Sequence, residues 1–472
     1  MIRTNQRTVS RRRFLARMAA AGAAAAGLSV GARHGFGAAD ARRLRAGEGV
    51  VDTTPPLGIE MGGFHRPPDN PRRITGIRQG TSARALWLAC GDVQAAIVSL
   101  DMLDVSYEFT GRVQVEVARA TGIPASHVRV CATHSHSMPA FQFSHQWGAV
   151  PGEYMAAVAK QIVEACRLAK ADLAPAEAYL GKARAVGANF NRTTKKFKTD
   201  AEFTKDSTED ERWLDTMLHV LRLERPGGRR TLAWYHFSNH PVCFRDSLAG
   251  PDWPGLVANR VAETRKVAPV FLQGHAGDVN PGDGTIWIGE AEPTAAAVCD
   301  ALGRALDDAR PVKVDALRVA VEPCELPLDM ALFQTWLDEY RKDPAACKSG
   351  PWVDAGFAQA WFESASKYDL NRTVLPITLA AMRLGEVGMV FHPAEMYSCY
   401  GLAIRRDSPL ADTLVVGYAD GTIGYGPDLN AYKAGEYAAV VVPKILDYPP
   451  LVPTATRTLA ESALGLLAKV AG

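Results

Sequence analysis

Residues 131–140 read Cys-Ala-Thr-His-Ser-His-Ser-Met-Pro-Ala, two histidines two positions apart at the end of a short apolar run. Val128, Val130 and Ala132 mark the close of a buried strand, while Ser137, Met138 and Pro139 open a turn. His134 and His136 therefore stand at the C-terminal end of a strand, where open α/β sheets gather ligands. Residues two apart share a face of an extended chain, but the strand is ending here, so the turn decides how the imidazoles diverge. One can ligate a metal while the other handles protons; the bland alternative is two histidines in a polar loop.

Outward from this stretch the chain alternates strands and helices. Upstream, 83–88 and 95–100 read as strands, the second apolar enough to be buried on both faces, and 107–121 as an amphipathic helix leading into 128–132. A glycine-rich loop at 58–64 allows close backbone approach to a ligand. Downstream come a helix at 152–171, a strand near 176–181 and a polar stretch at 189–212 expected to lie as an exposed loop. Strands at 216–223 and 231–237 follow, the second running into His240-Pro241. A buried strand at 269–272 opens onto a glycine-rich turn, 274–282, with Asp278 and Asn280. The pattern continues with a helix at 291–309, a strand at 312–322, a helix at 330–341 in a peripheral insertion reaching 371, and strands at 375–384 and 387–391. The last delivers His392-Pro393-Ala394-Glu395, followed by a helix at 396–406, a strand at 413–418, a loop rich in glycine and tyrosine at 419–437, and a closing helix at 458–470. This alternation predicts βαβ crossovers and a mixed α/β fold, with largely parallel sheets flanked by helices.

The composition, 47% hydrophobic over 472 residues, supports a large core and excludes a disordered or fibrous chain. Residues 1–38 differ from the rest. Arginines precede an Ala/Gly-rich apolar run, and Ser10-Arg11-Arg12-Arg13-Phe14-Leu15 matches a twin-arginine signal. The run is too short and alanine-rich for a membrane span that persists after processing. The expected partner is the twin-arginine export machinery and the expected location the periplasm or outside the cell. Those residues carry seven arginines and no acid, so the formal +2 becomes −5 for 39–472. No basic stripe with interleaved aromatics remains, which argues against a nucleic-acid partner. The eight cysteines form no C-x-x-C pair; Cys324 with Cys347 is the pair to check for a disulfide.

Separate strands thus end in His134/His136, His240, Glu395 and the tyrosine loop holding Tyr425 and Tyr437. Two histidines and a carboxylate with an open position form a hydrolytic zinc arrangement. Each residue also has a plain structural reading: His240 donating to backbone, Glu395 favoured at a helix N-terminus, Tyr425 an ordinary loop aromatic.

The order Asp-x-Thr-Pro-Pro, Thr-His-Ser-His-Ser, Asn-Arg, His-Pro, Gly-Asp-Val-Asn-Pro, Pro-Ala-Glu, Gly-Tyr-Gly-Pro, running from 49 to 437, resembles the neutral ceramidase family, zinc-dependent amidases of the N-acyl bond of ceramide. The resemblance implies His134, His240, Glu395 and Tyr425 as zinc ligands. It places His136 and Arg192 at the reacting centre and Tyr437 where it assists the oxyanion. Asp278 and Asn280 are candidates for positioning water or a substrate hydroxyl, or for a turn that binds its own backbone. Departures are Asn280 in place of a serine, Gly435-Glu436-Tyr437-Ala438 in place of Gly-Gly-Tyr-Glu, and no sequence for the family's C-terminal β-sandwich.

The expectation is a single catalytic domain, 39–472, acting as a zinc amidohydrolase on an N-acylated lipid or a smaller N-acyl compound. The departures favour a substrate shorter or more polar than long-chain ceramide. Phe141, Phe143, Trp147, Trp352, Phe357, Trp361 and Phe362 can line a lipid groove or a sugar platform, or fill loop cores. The rivals are hydrolysis of an ester or a carbohydrate N-acetyl group at the same site, and a metal-holding binding protein without turnover; His136, Arg192 and Tyr437 count against the last.

Overall fold

A computed structural model describes residues 43–347 and 355–472. The leader expected at 1–38, and Trp352, lie outside the described residues. Three mixed sheets dominate. In the first, the order is Val128–Ala132, Val93–Leu100, Ser82–Cys90, Arg45–Asp52, Ala174–Pro175; in the second, Val270–Gln273, Leu232–Phe237, Met217–Glu224, Glu177–Arg184, Arg310–Val312; in the third, Leu317–Pro327, Val374–Leu384, Val387–Phe391, Asp412–Val416.

Each sheet has one parallel pair, at one edge, and antiparallel pairs elsewhere. The α/β class is as expected, but the parallel share is smaller, because period-2 alternation is common to both kinds of pairing. Each parallel pair is bridged by one helix: Tyr107–Thr121, Trp253–Arg265 and Ser398–Asp407. The three sheets thus each carry a βαβ unit.

Alternation assigns the faces. Leu86, Leu88, Ile97 and Cys131 of the first sheet, Leu221, Trp234 and Leu272 of the second, and Met382, Met389 and Leu414 of the third share one buried cluster. Their neighbours one residue along face outward onto helices. Trp87, Val98 and Val130 pack with Phe109 and Ile162; Val220, Tyr235 and Phe271 with Val257 and Val298; Ala381, Val390 and Val415 with Leu402 and Leu466. Covering both faces of each sheet fixes its register, since a one-residue slip would exchange the two sets.

Several local expectations change. Trp253–Arg265 falls in a stretch given no element from sequence. Asp252 caps it, accepting from the Trp253 amide, and Pro254 sits in the first turn where its missing N–H costs nothing. The strand expected over 312–322 is two strands in different sheets, broken between Val312 and Leu317. The 189–212 stretch begins buried, with Asn189–Asn191 paired antiparallel to Val279–Pro281. Cys324 and Cys347 are free thiols. Among the described residues no helix is long and apolar enough to cross a membrane.

Candidate active site

The strands of the three βαβ units end beside one another. Ala132 donates its N–H to the Tyr418 carbonyl, Gly417 to Gln273, His392 to Val416 and Gly274 to Phe237, so loops from all three sheets are laced together. His134 stands just after the first of these ends, with φ +65°, and Tyr418 after another, with φ +54°. Such left-handed conformations cost non-glycine residues on the order of 1–3 kcal/mol each and persist where surrounding structure over-determines them. The turn at His134 answers what the sequence left open: the two imidazoles converge, with Nε2 atoms 3.2 Å apart.

Hydrogen bonds fix the tautomers. A carbonyl only accepts, so His134 donates from Nδ1 to Leu103 O (2.8 Å) and His240 from Nδ1 to Val279 O (2.9 Å). With both imidazoles neutral, each Nε2 is then a bare lone pair. Glu395 Oε2 lies 3.4 Å from both of them. Three electron-rich atoms at that spacing repel unless a cation or proton lies between them. A tetrahedral zinc with bonds near 2 Å has donor–donor edges of about 3.3 Å. His136 Nε2 is as close to His134, and the ligating atoms of His134, His136 and His240 all fall within 4.8 Å of one another. Unlike the other two, however, His136 Nδ1 has no hydrogen-bond partner. It lacks the carbonyl anchor that usually orients a ligating histidine.

Glu395 and Tyr425 are register partners in a two-residue parallel pairing, which sets the phenol beside the carboxylate. Arg192 Nη2 donates to Tyr425 Oη at 2.6 Å and to Gly277 O at 2.7 Å, and its Nη1 to Asn280 Oδ1 at 3.4 Å. Burial pushes the Tyr425 phenol up while Arg192 opposes it. Burial alone would also raise Glu395; a proton on the facing imidazoles of His134 and His240 outweighs it and holds the carboxyl well below its ordinary range, and where those imidazoles are neutral a cation between the three groups takes that part. Burial, then the neighbouring His134 and His240, lowers His136 strongly, keeping it neutral. Burial and then Arg192 bring His240 to about 4. Tyr437 is 39% exposed. It stands edge-on to Tyr425 at 6.1 Å, and burial around its hydroxyl raises its pKa.

The structure therefore brings His134, His136, His240, Glu395, Tyr425, Arg192 and Tyr437 together. Asp278 and Asn280 have other engagements. Asp278 Oδ1 accepts from the N–H and hydroxyl of Ser398, and Oδ2 from Asn191. It clamps the glycine turn to the start of the helix behind Glu395. Asn280 gives Nδ2 to Trp287 O and receives Arg192. Both hold the site's frame.

Residues the sequence reading did not assign to the site include Tyr418, tilted against His134 with ring centroids 4.3 Å apart and donating to Glu395 at 3.4 Å, and Arg72, whose guanidinium holds the Gly62 and His136 carbonyls. Isolated residues on remote elements, these offered no spacing to read. Also missed was a buried polar layer built on Asp215, which receives Arg405 and His275. Burial would raise Asp215, but Arg405 and His275 hold it well below its ordinary range. This layer is tightly fitted. A methyl group at Gly401 would sit 2.1 Å from the His275 ring. Gly401→Ala is expected to lower unfolding free energy by about 1–3 kcal/mol or more through overpacking, read as a shift in denaturant midpoint; a parent-like midpoint would contradict the fit.

A buried constellation of this kind can hold a divalent metal, and the donor set of imidazole, carboxylate and phenolate suits one that favours nitrogen and oxygen. The chain belongs to the neutral/alkaline non-lysosomal ceramidase family: the family's N-terminal model matches residues 44–285, just over half of the chain. The fold is also similar to a crystal structure of neutral ceramidase from Pseudomonas aeruginosa (TM-score 0.66) and to a structure of a ceramidase complexed with C2 (TM-score 0.68). Each is 18% identical, over 91% of this chain and 75% of theirs. No curated protein matches the sequence.

Proposed function

We propose that this protein is a zinc-dependent amidohydrolase cleaving the C–N bond of an N-acylated lipid or smaller N-acyl compound. The observation that carries the reading is the pair of lone-pair-bearing imidazoles, His134 and His240, facing one Glu395 oxygen in a member of the ceramidase family. His134, His240, Glu395 and Tyr425 hold the metal. Zinc there supplies Lewis-acid polarisation of water and of the scissile carbonyl. The remaining work falls to side chains. His136, buried and neutral, takes a proton from the attacking water and returns it to the leaving nitrogen. Arg192 is spent on Gly277, Asn280 and Tyr425, so it orients the Tyr425 phenol, and donation to the carbonyl oxygen falls to Tyr437. The leader at 1–38 and twin-arginine export to the periplasm or exterior belong to the same proposal, as does a single catalytic domain over 39–472.

Six of the aromatics singled out in the sequence bear on acyl length. Phe141, Trp147, Phe357 and Trp361 are all buried in hydrophobic clusters, Phe362 stacks on Tyr340 at the side of the Trp361 cluster, and Phe143 is exposed. Among the described residues they serve mainly as cores of loop clusters, which supports a substrate shorter than a long acyl chain. Burying each further CH₂ contributes about 0.8 kcal/mol, or about fourfold in kcat/KM. We expect kcat/KM across an N-acyl series to level off at short to intermediate length. A steady fourfold climb per methylene to long, ceramide-like chains would overturn the short-chain preference. Absence of turnover on every N-acyl amide by the zinc-loaded protein would overturn the amidase reading itself.

A further inference from the structure

Tyr437 begins a four-residue helix, Tyr437–Val440, at the solvent edge of the site, and a phenol so placed needs something to hold its hydroxyl in position. The loop at 62–66 meets it there. Gly62 donates to Met138 O (3.1 Å) and Arg66 to Gln146 O (3.0 Å), while Arg72 bridges the carbonyls of Gly62 and His136. Gly63, at φ +85°, lies so close to His136 that a Cβ would fall 2.5 Å from Nδ1. The loop is thus pinned to the turn that carries His136. From it His65 reaches across, edge-on to Tyr437 at 5.8 Å and near Trp147 at 6.1 Å, and places Nε2 2.8 Å from Tyr437 Oη.

We propose that His65 is a positioning residue for amide hydrolysis, donating Nε2–H to Tyr437 Oη so that the phenol's own proton points to the substrate carbonyl oxygen. A phenol has one proton and two lone pairs. Were that proton given to His65, none would remain for the developing oxyanion. Donation by His65 leaves it available and polarises the O–H toward substrate. The inference rests on the amidohydrolase reading, in which Tyr437 serves the carbonyl oxygen. A neutral hydrogen bond at a solvent edge adds at most about 0.5–1.5 kcal/mol to stability. Misplacing a catalytic group by about 1 Å, by contrast, can cost roughly 10²-fold in rate.

The test uses full-length, zinc-loaded protein carrying His65→Leu, His65→Gln, Tyr437→Phe and the Leu/Phe double change. His65→Leu is expected to lower kcat by about ten- to a hundredfold with KM, zinc content and Tm near parent values. Glutamine, whose amide N–H can reach the same oxygen, should restore most of the loss. In the Tyr437→Phe background, His65→Leu should cost nothing further. Losses that multiply in the double variant, or Leu and Gln variants that lose equally, or a Leu variant with parent kcat, would each overturn the proposal. A second readout is independent of turnover. In protein labelled with 3-fluorotyrosine, the ¹⁹F line assigned to Tyr437 by its disappearance in Tyr437→Phe should move in His65→Leu and return in His65→Gln. An unmoved line overturns the His65 assignment, whereas an inactive parent with the expected line shifts overturns the amidase reading alone.

Discussion

Zinc content should fall from about one ion per chain to near none when His240 is replaced by alanine, because metal affinity rests on the identity and count of ligands. His240 is completely enclosed. Its Nδ1 is held by Val279 O, which aims the Nε2 lone pair toward Glu395 with no freedom to turn away. Removing the imidazole deletes one of the donors that face Glu395 and His134. Loss of a hydrogen-bonding partner behind a ligand typically costs about 10- to 100-fold in affinity, and loss of the ligand itself should exceed that. The measurement is elemental analysis after dialysis, paired with thermal unfolding with and without a chelator. The parent should lose stability when chelated, because a ligand that binds only the folded state stabilises it by mass action. The His240→Ala protein should be indifferent to chelator. Full zinc in that variant would remove His240 from the ligand set.

His136→Ala and Tyr437→Phe should behave in the opposite way, retaining zinc while losing about 10²- to 10⁴-fold of kcat, the usual contribution of a positioned proton-transfer group. His136 is the sharper case. Its Nε2 lies as near His134 as a fellow ligand would, yet its Nδ1 has no carbonyl behind it. A ligand loses metal when truncated; a base loses rate. If His136→Ala empties the site, His136 is a ligand and the proton role must pass to another group. If both variants turn over at the parent rate, neither side chain takes part in the chemistry.

The sequence alone determined that apolar strands end in His134, His240 and Glu395. Alternation and length are local properties, and histidine or glutamate after a buried strand breaks the pattern visibly. It also marked the helices at 107–121 and 291–309, whose apolar residues recur at helical spacing. Trp253–Arg265, which was given no element, starts with Pro254 and Gly255, residues that weaken a helical pattern, although Asp252 before them was an available capping signal. The partition into three sheets escaped too, since the same period-2 pattern serves either strand direction, and the apparent strand at 312–322 crossed from one sheet to another. Only the tertiary structure decided which residues meet. Tyr418 lies on His134, His65 reaches Tyr437 across 372 positions, and Arg405 closes on Asp215 across 190. Contacts at such separations leave no periodicity. They arise because three βαβ units, one on the edge of each sheet, end their strands against one another, and the side chains that follow those ends have a single buried volume to share.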